Sequence, residues 1–136
     1  MTFYKTERWG LLILRSVVGI TFLMHGGQKF FFVGFSAVTP EMVRAGIPFP
    51  ELAAVVVTFV ELIGGVALLM GLATRYVALL IAIEMGVAIW RVHWSAGFFA
   101  PQGVELPLAL GGAALALVFT GAGDFSMDDI LFGQEK

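Results

Sequence analysis

Four apolar runs make up more than half of this 136-residue chain, from about Trp9 to Lys29, Glu51 to Met70, Thr74 to Trp94 and Val104 to Thr120. A bilayer core of about 30 Å calls for roughly 20 apolar residues per helix, so four spans fit with short links between them. Composition removes the soluble alternative. Of all residues, 59% are hydrophobic and 13% charged, against the roughly 25% charged with which a soluble domain covers its surface. The expected fold is an all-α membrane protein, a four-transmembrane-helix antiparallel bundle forming one domain over residues 1–136, with the lipid bilayer as its first partner. The net charge of −2 has no basic patch behind it, which leaves nothing to hold nucleic acid.

The chain has no cysteine. A disulfide, a thiolate metal site and a thiol relay are thus excluded within it, and no metal site is expected. A signal peptide is the rival reading of the first run, because Lys5 and Arg8 precede it. Against that stand Arg15 inside the apolar core, the length of the run and the lack of a small-residue cleavage site. The second run is entered through IPFPE, whose prolines suit an extended approach and a first helical turn, and Gly71 ends it. Thr74 is the expected N-cap of the third run. The link GLAT is so short that runs two and three form an antiparallel hairpin. The fourth run is the shortest and is expected to be the least tilted. Between the first two, VTPEMVRAG reads as a short interfacial helix capped by Thr39, with Pro40 in its first position and Gly46 as its stop. The tail DFSMDDILFGQEK mixes acids with Phe125, Ile130, Leu131 and Phe132 and is expected on the membrane surface. Lys5, Arg8, Arg75 and Lys136 fall on one side, Lys29, Arg44 and Arg91 on the other, which puts both termini in the cytoplasm.

Polar residues inside the runs carry the functional information, since a charge at the bilayer centre costs about 2.5–3.5 kcal/mol even on the lenient insertion scale. Arg15, Lys29 and Arg91 balance Glu61, Glu84 and Glu105. At about 100° per residue, Arg15, Phe22, His25 and Lys29 share a face of the first helix, while Gln28 points elsewhere. Thr58, Glu61 and Gly65 share a face of the second. On the third, Glu84 and Arg91 nearly eclipse, and Ala78, Ala82 and Gly86 form a small-residue ridge on the opposite side. Arg15–Glu61 and Glu84–Arg91 read as ion pairs, either fixing register or serving a site. Lys29 reads as a snorkelling anchor or as part of that site. Trp9, Trp90 and Trp94 read as an interface belt. By depth, His25, Lys29, Arg91, His93 and Glu105 gather at one membrane face, above Arg15, Glu61 and Glu84. The expectation is a polar funnel with an ionic floor, whose mouth includes HGGQK and whose glycines admit a neighbouring helix or a ligand. Two histidines and a carboxylate at one depth can relay protons near neutral pH, which makes His25, His93 and Glu105 the catalytic candidates.

The segments LRSVVGITFLMHGGQKFF, GIPFPELAAVVVTFVELIGGVALLMGLATR, VHWSAGFF, GVELPLAL and GAGDFSMD, in this order and spacing, resemble the DoxX family of small four-helix membrane proteins over nearly the whole chain. The resemblance implies an inner-membrane protein of bacteria or archaea. Some members of that family are named as subunits of quinone-linked oxidoreductases acting on thiosulfate or oxygen. Others are implicated in oxidative-stress or quinone-stress complexes with soluble partners. On the matching positions, Arg15, His25, Gln28 and Lys29 fall in the first motif, Glu61 and Arg75 in the second, His93 and Glu105 in the last. Glu84 and Arg91 lie outside any fixed motif.

The leading expectation is a quinone-handling oxidoreductase component. Gln28, Lys29, Arg91, Glu61 and Arg15 would hold the ligand, and the phenylalanines of Phe30 to Phe35 and Phe98 to Phe99 would wall it. With no flavin motif and no cysteine cluster, the electrons would come from a soluble or membrane redox partner. A haem held between His25 and His93 is a variant of this reading. The alternatives are a non-enzymatic scaffold that recruits a soluble redox protein through the loop helix and acidic tail, and a small-solute transporter, for which four helices suffice only in a homo-oligomer.

Overall fold

The computed structural model describes residues 4–133, and no strand occurs among them. Helix α1 is Tyr4–Gly27 and continues as a π-helical turn over Gln28–Val33. Helix α2 is Phe35–Arg44, α3 Pro50–Met70 and α4 Thr74–Ala88. A second π turn, Ile89–His93, and a 3-10 turn, Trp94–Ala96, prolong α4. Helix α5 is Glu105–Thr120 and α6 Met127–Phe132. The stretches Thr6–Val33, Pro50–Met70 and Thr74–Ala96 are long and apolar enough to cross a membrane, and α5 is a shorter apolar helix. Helix α1 packs on α3, α3 on α4, α4 on α5 and α5 back on α1, closing a bundle in which neighbours run antiparallel.

The bundle is apolar on its outside. Ile13, Val17, Ile20 and Met24 on α1, Ile63 on α3, Leu79 on α4 and Leu115 and Phe119 on α5 are all exposed. In water that would be an apolar patch far beyond the few hundred Å² tolerated by soluble monomers. Against lipid it is the favourable arrangement, with the backbone satisfied within each helix. Helix pairing in lipid gains nothing from hiding hydrocarbon and depends on close contact. Helices α1 and α3 obtain it through glycine. A Cβ on Gly26 would collide with the backbone at Leu62, and one on Gly65 with the backbone of Leu23. Around these contacts Val18, Phe22, Leu68, Ile81 and Leu117 form the core. The buried face of α3, which includes Thr58, Glu61 and Gly65, is the face expected from helical spacing.

Several local details differ from the sequence reading. Thr39 does not cap α2. Gly34, at φ +76°, supplies the break that starts this helix, so Pro40 falls in its second turn and the Thr39 hydroxyl donates to the Phe35 carbonyl at 2.9 Å. Phe49 is left-handed (φ 51°) rather than extended, which aims its carbonyl into the first turn of α3, where Ala53 N–H donates to it at 2.9 Å. Gly71 ends α3 as expected, with φ +67° and its N–H donating to the Leu68 carbonyl at 3.1 Å.

Thr74 is not the cap of α4. Ala73 holds that position at φ 49°, and the Thr74 hydroxyl is buried without a partner. The cap comes from α6 instead: Asp128 Oδ1 accepts from Ala73 N–H at 2.7 Å and Oδ2 from Thr74 N–H at 2.9 Å. The tail is thereby tied to the α3–α4 hairpin, while Ile130, Leu131 and Phe132 face outward. The packing face of α4 is Thr74, Ala78, Ile81 and Met85; of the expected ridge Ala78 is buried and Ala82 packs against the core, but a Cβ on Gly86 would meet nothing within 4 Å. The close approach is made from the other side, by Gly111 of α5, where a Cβ would lie 3.0 Å from that of Met85.

Candidate functional site

The polar groups separate to two ends of the bundle. Arg15, 1% exposed, donates to the carbonyls of Ala122 at 3.2 Å and Phe125 at 2.6 Å. The expected Arg15–Glu61 pair does not form, and the reason is register. Helices α1 and α3 run antiparallel with Gly26 against Leu62, so Glu61 lies level with Gly26 while Arg15 lies level with Gly71. Arg15 precedes Lys29 by about 20 Å along the helix. A Cβ on Gly71 would strike its guanidinium. Arg15 therefore joins α1 to the tail and takes no part in a site at the other end.

At that other end a cavity of about 490 Å³ opens among α1, α3, α4 and α5, with α2 along one side. Its walls are mainly aliphatic, from residues such as Val56, Val60, Leu80, Ile83 and Leu110. Phe22 is the phenylalanine that reaches it. The expected walls do not: Phe31 and Phe32 border a separate outer hollow, and Phe30, Phe35 and Phe59 stack on one another at ring separations of 5.5–6.2 Å. The polar groups lining the cavity are His25, Lys29, Glu41, Glu61, Glu84 and His93.

Lys29 is not a snorkelling anchor. Its Nζ donates to Glu61 Oε2 at 2.5 Å, and Glu61 is 4% exposed. Because α1 touches α3 at Gly26, Lys29, about one turn further on, has that carboxylate within reach. Glu84 arrives at the same point from α4. Its carboxyl lines the same cavity as Lys29 and Glu61 and interacts electrostatically with both, and its Oε2 is buried without a hydrogen bond. The expected Glu84–Arg91 pair is absent. The π turn over Ile89–His93 intervenes and defeats the 100° arithmetic, and Arg91 stacks on Trp90 at 4.3 Å beside Gly46.

His93 lines the cavity while its Nδ1 lies 2.7 Å from the Gln102 carbonyl. A carbonyl only accepts, so Nδ1 carries the hydrogen and Nε2 is left for another partner. His25 lines both the cavity and the outer hollow. Glu105 does not converge with the histidines. It opens α5, and its Oε2 accepts from Ala100 N–H at 2.9 Å, which holds the preceding loop rather than the cavity. Gln28 borders only the outer hollow. The structure thus brings together His25, Lys29, Glu61 and His93 and leaves Glu105, Gln28, Arg91 and Arg15 outside. Glu84 and Glu41 complete the set. The signal for Glu84 is its position in the middle of an apolar run; nothing local points to Glu41, which lies on the helix expected in the interface.

The DoxX family model matches residues 10–94, a segment that contains every polar residue of the cavity. The chain is 35% identical, over 97% of its length and 94% of the relative's, to "Putative oxidoreductase CatD" of Bacillus subtilis (strain 168). It is 33% identical, over 94% and 95%, to an uncharacterized protein of Haemophilus influenzae. It is 30% identical, over 87% of both chains, to "Inner membrane protein YphA" of Escherichia coli (strain K12). No solved structure matches it. An outward apolar bundle, the match across three of its long helices and relatives aligned nearly end to end agree: this chain is a membrane protein of the DoxX family.

Proposed function

We propose that the protein is the quinone-binding component of a redox system in the inner membrane, with the cavity as its quinone site. The observation that carries this is one hollow of about 490 Å³ whose walls are mainly aliphatic and which His25, Lys29, Glu41, Glu61, Glu84 and His93 also line. That volume is in the range of small-molecule sites, roughly 300–1,000 Å³. A quinone headgroup is a flat apolar ring with two carbonyls, each of which needs a donor. Lys29, with N–H groups to spare beyond its bond to Glu61, and the imidazoles of His25 and His93 are the donors this cavity offers. The aliphatic walls suit an isoprenoid tail entering from lipid. The name of CatD supports a redox role and that of YphA the membrane assignment. A bound quinone supplies two-electron acceptor chemistry; the chain orients the ring and holds protons near its oxygens, and a partner delivers the electrons.

The test is thermal unfolding of the purified protein with and without a short-chain quinone analogue. Wild type is expected to be stabilised. His25→Gln and His93→Gln are expected to lose about 1–3 kcal/mol of binding for a missing polar contact, while Glu105→Gln, outside the cavity, binds normally. An absorption spectrum of the same sample checks for haem. If wild type shows no analogue-dependent shift, the quinone reading fails and the adaptor reading, with α2 and the acidic tail as docking surfaces, replaces it.

A further inference from the structure

The polar end of the cavity contains charges that do not cancel. Lys29 from α1, Glu61 from α3 and Glu84 from α4 meet where the interior is otherwise aliphatic. Lys29 satisfies Glu61 at 2.5 Å. Glu84 lines the same cavity and interacts with Glu61, yet its Oε2 is buried and accepts no hydrogen bond. With both carboxyls ionised, one ammonium faces two negative charges, and no hydrogen lies between the carboxyls to hold them together. An uncompensated charge in this setting is costly enough that it is neutralised or bound by a cation.

We propose that Glu61 and Glu84 form a proton-binding site, in which the two carboxyls share one exchangeable proton and Lys29 compensates the remaining charge. The cluster is then neutral when loaded and singly negative when empty. The shared hydrogen supplies the missing donor: the Glu84 O–H donates to Glu61, which also accepts from Lys29. Loading forms one O–H bond and moves no electrons. The groups facing the site are His25 and Lys29 on α1 and its π turn, Glu41 on α2, and His93 on the extension of α4, while α5 contributes only apolar Leu106, Pro107 and Leu110. His25 borders both the cavity and the outer hollow, so its imidazole can pass a proton between them. The site goes beyond the quinone reading and stands without it, although a reduced ring in this cavity would find its proton here.

The test is infrared spectroscopy of the purified protein in sodium-free buffer at neutral pH, in H₂O and D₂O. Wild type is expected to show the carbonyl stretch of a protonated carboxyl, displaced in D₂O. Glu84→Gln and Glu61→Gln, which retain hydrogen-bonding capacity at the same volume, are each expected to lose it, whereas Glu41→Gln and Glu105→Gln keep it. Helical circular dichroism of each variant confirms folding, and the wild-type measurement alone already decides whether the band exists. Absence of the band in wild type overturns the proposal, as does its survival in both Glu61 and Glu84 variants. A band abolished by added sodium identifies a sodium site and overturns it equally. Analogue binding on the same samples separates the two readings: a band without analogue binding removes only the quinone, and analogue binding without a band removes only the proton site.

Discussion

Lys29 and Glu61 form an ion pair at 2.5 Å, with the lysine side chain 21% exposed and the glutamate 5%. Removing one partner of a buried pair leaves the other as an unpaired charge, a loss of about 3–5 kcal/mol when both are fully enclosed. The partial exposure of Lys29 lowers the expectation to about 2–3 kcal/mol for Lys29→Met. Adding Glu61→Gln should recover most of that loss in thermal unfolding, and a purely additive pair of changes would show that the contact contributes nothing. Arg15 makes the contrasting case. Its partners are the Ala122 and Phe125 carbonyls, at the far end of the bundle from Glu61, so Arg15→Ala should destabilise and Glu61→Gln should not rescue it. Additivity within about 0.5 kcal/mol is the expected outcome for so distant a pair. Coupling well above that would contradict the register described above.

At the scale of elements, the α1–α3 contact depends on glycines whose replacement is sterically blocked. Gly65→Ala places a Cβ against the backbone of Leu23 and is expected to cost about 1–3 kcal/mol, as overpacking usually does. Gly27→Ala is the control. Its Cβ would meet nothing within 4 Å, and alanine at the end of a helix is neutral or favourable by up to about 1 kcal/mol. A similar cost for both would show that backbone freedom, not contact, keeps these glycines. The helix ends are satisfied across the chain rather than locally. Arg75 donates to the Val118 and Phe119 carbonyls at 3.0 and 2.9 Å, closing the end of α5, and Asp128 caps α4. Asp128→Ala is expected to cost about 0.5–2 kcal/mol and to release the tail to proteolysis, whereas Asp124→Ala, with no such bond, leaves both unchanged.

For the whole molecule, the bundle puts Arg8 and Arg75 at the end that holds the tail and Lys29, Arg44 and Arg91 at the end that holds the cavity. Counted along the sequence with Lys5 and Lys136, four cations on the tail side face three on the other, which predicts that the tail end is cytoplasmic and that the cavity opens toward the opposite face. Reporter fusions at the C-terminus should therefore read cytoplasmic. A periplasmic reading would turn the cavity toward the cytoplasm and change which side supplies its protons. The ten-residue α2 lines the cavity through Glu41 and Met42. It is the part of the molecule that a partner could touch and thereby influence the site.

Membrane character, the four apolar helices and the tight α3–α4 hairpin were legible in the chain because run length, helical period and turn residues are local properties. The buried face of α3 was legible for the same reason, since Thr58, Glu61 and Gly65 follow from spacing within one helix. The partners of the charges were not. Lys29 rather than Arg15 meets Glu61, Glu84 meets Glu61 rather than Arg91, Asp128 rather than Thr74 caps α4, and Glu105 turns to its own loop. Each of these depends on register between helices, which is set by where Gly26 and Gly65 let two backbones touch, and on π turns that shift the angular count. Depth along one helix says nothing about the neighbouring helix until those points of contact are known, so the solvent and the elements belonged to the sequence, and the site belonged to the packing.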